Sequence, residues 1–111
     1  MRTELIKHFA NPEISKQMKE LGFNEPCLAY YNIDHYLKSP AFNLVQPFDH
    51  EWCLPAPLWQ QVYAWIYNTH NLVYYPKYKN GGYDIVEMEK EILSALQYIR
   101  NQESLKEAGL I

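Results

Sequence analysis

The chain has 111 residues, enough for one domain that buries roughly two-thirds of its unfolded surface and needs neither metal nor disulfide to hold a core. A hydrophobic fraction of 48%, a charged fraction of 21% and a net charge of −3 describe an ordinary globular protein. The acidic balance weighs against a dedicated nucleic-acid binder and against an anionic lipid surface as partner. With two cysteines and a start, MRTELIKHFA, that lacks the apolar run of a secretory leader, the expectation is a cytoplasmic protein with reduced thiols. The unusual figure is 15% aromatic, carried by ten tyrosines, which suits either plain structure or a binding surface because tyrosine offers a core a ring and water a hydroxyl.

In chain order, Met1 to Ala10 reads as a first short helix with Leu5, Ile6 and Phe9 on one side, or as a loosely held arm. Asn11 is a good N-cap, Pro12 a good first helical residue and Gly22 a good stop, which predicts a helix from Pro12 to Leu21 with Ile14, Met18 and Leu21 inward. A left-handed Gly22 lets Phe23 fold back on Met18, the contact that accompanies a Schellman ending. After the turn Asn24-Glu25-Pro26, Cys27–Ile33 is short, apolar and aromatic, which suits a strand. Asp34–Pro40 reads as a connection and Phe42–Phe48 as an irregular strand, with Pro47 confining it to an edge. Asp49–Pro55 reads as a loop.

The stretch the chain is organised around is Ala56–Asn71 (APLWQQVYAWIYNTHN), a predicted helix. Leu58, Val62, Trp65, Ile66 and Thr69 form one apolar stripe at helical spacing, Trp59 widens it, and Gln60, Ala64 and Asn68 lie opposite. Pro57 suits its first turn, since a helix start leaves that N–H unpaired in any case. Its longest apolar run, Val62 to Tyr67, falls far short of the roughly 20 residues of a membrane span. Beyond it, Leu72–Lys79 reads as a strand, Asn80-Gly81 as a hairpin turn and Tyr83–Val86 as the return. Asp84 and Glu87 have capping-box spacing, so strand and helix compete for Asp84. Ile85, Met88, Ile92, Ala95, Leu96 and Ile99 then predict a long amphipathic helix to about Lys106, stopped at Gly109. There is no internal repeat, linker or low-complexity segment. The predicted class is α+β: a single domain, residues 1–111, with three amphipathic helices packed on a small antiparallel sheet.

The stretches QMKELGFNEPCLAYY and APLWQQVYAWIYNTHNLVYYPKY, with the closing amphipathic helix, resemble a family of small uncharacterised proteins from gut bacteria and their phages or mobile elements. The shared pattern is a helix ending in a GF-(D/N)-EPC turn, then AP-(L/T)-xQ-x-(V/L)-x-x-W opening a second helix. It is carried here by Gly22, Phe23, Asn24, Glu25, Pro26 and Cys27, then Ala56, Pro57, Leu58, Gln60, Gln61, Val62 and Trp65. The hairpin region Leu72–Val86 is abbreviated relative to that pattern. The resemblance implies an accessory protein of mobile DNA, with no activity to carry over.

The residues suggest four kinds of chemistry. Asp49, His50, Glu51 and Cys53 crowd together near His35, but their spacings lack the paired C-x₂-C or H-x₃-H logic of a zinc site, so no metal or other cofactor is expected. Cys27 with His35 or His70 can be drawn as a catalytic dyad, yet no local signature supports it, and no phosphate loop or nucleophile elbow is present. Tyr74, Tyr75, Lys77, Tyr78, Lys79 and Tyr83 interleave rings and ammonium groups, a pattern that stacks bases and meets phosphates. Strand alternation puts Tyr75 and Lys77 on one face and Tyr74, Pro76 and Tyr78 on the other, so Tyr75, Lys77 and Lys79 are the candidate nucleic-acid contacts. Tyr63, Tyr67 and His70 lie beside the central apolar stripe, either packed under a loop or forming a patch that pairs two chains or receives another protein. The favoured expectation is a non-enzymatic, self-associating accessory protein, ahead of a nucleic-acid-associated protein and of a small Cys/His enzyme.

Overall fold

The computed structural model describes residues 6–32, 34, 36–38 and 54–110. In chain order its elements are α1 (Pro12–Glu20), β1 (Ala29–Tyr31), β2 (Leu37–Lys38), β3 (Leu54–Ala56), α2 (Trp59–His70), β4 (Tyr78–Lys79), β5 (Gly82–Tyr83) and α3 (Ile85–Glu107). The architecture is α+β, with three helices and small antiparallel sheets among the described residues. None of these helices is long and apolar enough to cross a membrane.

Helix α1 is set by its ends. The Asn11 side chain accepts the Ile14 N–H at 2.8 Å, filling an orphan donor of the first turn. At the other end the Phe23 N–H donates to the Met18 carbonyl at 2.9 Å and the Gly22 N–H to Lys19 at 3.1 Å, the paired bonds of a Schellman ending. Gly22 sits at φ +100°, which an L side chain rarely adopts. Ile14 and Met18 are thereby turned into the core.

Helix α2 begins later than its sequence suggests. Ala56 pairs with Ala29 as part of β3, so the expectation that Ala56 and Pro57 are helical is corrected. The Pro57 carbonyl accepts the Ala10 N–H at 2.9 Å, and Phe9 bridges Leu58. Strand-type pairing on both sides therefore consumes residues 56–58 before the helix can start. Leu58, the N-cap residue, has no side-chain acceptor; the His8 carbonyl takes the Trp59 N–H at 3.1 Å instead, so a tertiary contact replaces a local cap. Residues 8–10 are accordingly held against the start of α2 and do not form a loose arm. Val62, Trp65 and Ile66 share one core with Ile14 and Met18 of α1 and Met88, Ile92, Ala95, Leu96 and Ile99 of α3. Trp65 is 4% exposed. The stripe runs out at its ends, with Leu58 half-buried and Thr69 exposed.

The three-stranded sheet runs β2-β1-β3, with Tyr31 opposite both Leu37 and Leu54. Ala29, Tyr31, Leu37, Leu54 and Ala56 make a second, smaller core cluster against Phe9. Two expectations change here. Leu37 and Lys38 form a strand inside the stretch read as a connection, and Leu54 and Pro55 belong to β3 instead of to a loop. Pro55 is tolerated because β3 lies at the sheet edge among the described residues. The predicted strand Phe42–Phe48 and the loop from Asp49 to Cys53 lie outside the described residues, as do Met1–Leu5.

The second sheet is the predicted hairpin. Asn80 at φ 53° and Gly81 at φ 80° give the two left-handed residues of a type I′ turn. Asp84 goes to the helix: its carboxylate accepts the Glu87 N–H at 3.2 Å, while its own N–H closes the hairpin on the Lys77 carbonyl at 2.8 Å. Because α3 starts at Ile85, the return strand is only Gly82–Tyr83, not Tyr83–Val86. Its partner is cut to Tyr78–Lys79, and the expectation of a strand over Leu72–Lys79 is corrected for Leu72–Lys77, which has no ladder partner. Helix α3 then runs for 23 residues, ending one residue beyond the predicted Lys106.

Candidate functional site

The two sequence motifs meet in space. Gln61, on the first turn of α2, donates its amide to the Pro26 carbonyl at 2.9 Å and to the Glu25 carboxylate at 3.4 Å. Phe23 packs edge-on against Trp65 at 5.7 Å, and Cys27 is sealed in the same core. The Cys27 thiol donates to the Glu25 carbonyl at 3.4 Å. Burial first, and the Glu25 charge second, push it up to about 12, partly offset by hydrogen bonds from Ala56 and Gln61. Such a thiol is a poor nucleophile at neutral pH, since the thiolate is the reactive form. The motif residues thus form a joint between α1, β1 and α2, with Cys27 buried in it.

Tyr63, Tyr67 and His70 do not share one surface. Tyr63 is 7% exposed and belongs to the main core, so its place in a partner-binding patch is corrected. Its hydroxyl is buried without a partner, and burial, then Glu91 and Tyr78, hold it well above the usual tyrosine range. Tyr67 is exposed. His70 is half-buried, its ring edge-on to Trp65 at 4.9 Å. Desolvation lowers its pKa, against an upward pull from Glu103 and a further downward push from Lys106. His70 lines an open cleft of about 900 Å³ where the carboxyl ends of α1 and α2 meet the last turns of α3, with the Arg100–Glu20 ion pair (3.0 Å) among its lining residues.

The arm between α2 and β5 is the most exposed aromatic region described. Burial alternates over Leu72, Val73, Tyr74 and Tyr75: the first and third are half-buried against the core, the second and fourth face solvent. Tyr75 and Tyr78 are 69% and 68% exposed. Tyr78 stacks on Tyr83 at 5.5 Å, and Lys77 pairs with Glu91 at 3.5 Å, so this lysine is tied to α3 while Lys79 projects freely into solvent. Among the described residues the main-chain N–H groups of Val73, Tyr74, Tyr75 and Lys77 have no hydrogen-bond acceptor. The alternation gives the segment a strand's two-faced pattern without a strand's partner.

Among the described residues no three His, Cys, Asp or Glu side chains gather as a metal set; His35, Asp49, His50, Glu51 and Cys53 lie outside them. Sequence reasoning missed Val73 and Tyr78 as exposed residues and Glu91 as the partner of Lys77. Only the brevity of the segment between Asn80-Gly81 and the Asp84 cap signalled that the arm outruns its return strand. Protein-family models, curated proteins and solved structures contain no match to this chain.

Proposed function

We propose that this chain is a non-enzymatic interaction protein that pairs with a second copy of itself, strand to strand, along Val73–Lys77. One observation carries the reading: a two-faced segment whose main-chain donors have no acceptor, bordered by solvent-facing Val73, Tyr75 and Tyr78. Such an edge is completed by another strand, whose main chain supplies the missing bonds and whose side chains cover alternate positions. Tyr67, on the preceding helix, is exposed as well, whereas Tyr63 lies in the main core. An edge of five residues offers few contacts, so association is weak and concentration-dependent. The proposed setting is the cytoplasm, from the cysteine content, and the proposed role is that of an accessory protein of a phage or mobile element, from the motif resemblance alone.

Sedimentation velocity over a concentration series from about 10 μM to 1 mM tests it, since mass action makes dimer content rise with concentration. The expected result is a dimer growing in for the wild type and abolished by Val73→Lys or Tyr75→Lys, each of which places a charge on the edge. A wild type that stays monomeric at the top of the series contradicts the proposal.

A second reading is favoured by the exposed rings of Tyr75 and Tyr78 beside Lys79: stacking on single-stranded nucleic acid. It predicts binding that weakens steeply with salt and on Lys79→Ala. Lys77, tied to Glu91, contributes less to it than the spacing suggested.

A further inference from the structure

Away from the arm, the segment before α1, the sheet and the first turns of α3 border an open-sided cavity of about 360 Å³. It is at the small end of ligand pockets, which run from roughly 300 to 1,000 Å³. Its walls are mostly rings and aliphatic groups, with two charged side chains, Lys7 and Glu89. Neither charge is answered by the other: no ion pair joins them among the described residues.

Each polar group has a defined state. One Glu89 carboxylate oxygen accepts the Asn11 side-chain amide, and the other has no protein partner among the described residues. The Tyr31 hydroxyl donates to the Ala10 carbonyl, so it does not take the free Glu89 oxygen. Burial, then the Glu89 charge, push the Tyr31 phenol up to about 12, which keeps it protonated in that bond. The main chain of Lys7 is anchored by the Trp59 indole N–H at 2.9 Å, so its side chain departs from a fixed point. A half-buried carboxylate with a free oxygen favours a cation, and the neighbouring rings add to that preference.

We propose that this cavity binds a free α-amino acid with an apolar side chain. The ammonium meets Glu89, the carboxylate meets Lys7, and the side chain lies among Phe9, Tyr31 and Leu37. The inference is independent of the self-pairing reading, because no residue of the arm lines this cavity.

The test is a ¹H–¹⁵N NMR titration of the whole chain with L-leucine, with isoamylamine (no carboxylate) and 4-methylvalerate (no ammonium) as controls. The expected result is saturable shifts at the cavity with Kd of order 1 mM, and weaker binding of both controls. Glu89→Gln, which still accepts from Asn11, and the surface change Lys7→Gln each weaken leucine binding about tenfold or more through loss of a charge-assisted bond. No saturable shift up to about 20 mM leucine overturns the proposal, as does leucine binding unaffected by either variant or controls that bind equally well.

Discussion

The joint around Trp65 and the arm after α2 both carry aromatic and large apolar groups, but to opposite ends. In the joint, Gly22 ends a helix, Phe23 turns back onto Trp65, and Gln61 ties down the Pro26 carbonyl, so the ring faces are covered and the turn is held. In the arm, Tyr75 and Tyr78 face water and four main-chain N–H groups of residues 73–77 lack acceptors. The difference lies in partners, not in composition. The joint receives three chain segments, whereas the arm receives a two-residue return strand before α3 begins. A hydrophobic strand with its partner cut short is a surface that another chain can complete.

Breaking the joint has the largest expected effect. Trp65→Ala removes a buried indole from the main core and leaves a cavity beside Phe23, costing about 3–5 kcal/mol in denaturant unfolding. Gly22→Val is next. Space is open around a Cβ there, but φ +100° strains a β-branched residue by about 1–3 kcal/mol, so the loss isolates backbone strain from packing. A smaller effect sharpens the line between joint and arm, through His70, which sits where they meet. Its folded pKa is lowered, so its contribution is fully present above the unfolded value of 6.5 and is lost as pH falls through the folded pKa. Melting temperature should therefore decline on acidification below about pH 6.5, less steeply in His70→Gln. The smallest stability effect belongs to the arm: Val73→Lys and Tyr75→Lys should alter unfolding by no more than about 0.5 kcal/mol, even as they abolish self-association.

How legible this was in the sequence depended on range. Local signals carried through: the Asn11 cap, the Gly22 ending, the Asn80-Gly81 turn and the Asp84 cap each act within a few residues. The stripe Val62, Trp65 and Ile66 carried through because helical periodicity is itself local. What failed was decided by distant segments. Ala56 and Pro57 look helical until β1 and residues 8–10 claim them. Leu37 and Lys38 become a strand only because Tyr30 and Tyr31 lie opposite. Tyr63 and Tyr67 are one helical turn apart and equally aromatic, yet one is core and the other surface, because Tyr63 alone belongs to the cluster that includes α3. The Lys7–Glu89 cavity joins residues far apart in the chain, and no spacing announces it.

Amide hydrogen exchange, read residue by residue at low and high protein concentration, reaches the central claim most directly. The arm as an unpaired strand predicts that Val73, Tyr74, Tyr75 and Lys77 exchange near their intrinsic rates when dilute and gain protection when concentrated, while α2 stays protected throughout. Protection of those four amides already present in dilute monomer, or absent at every concentration, would contradict it.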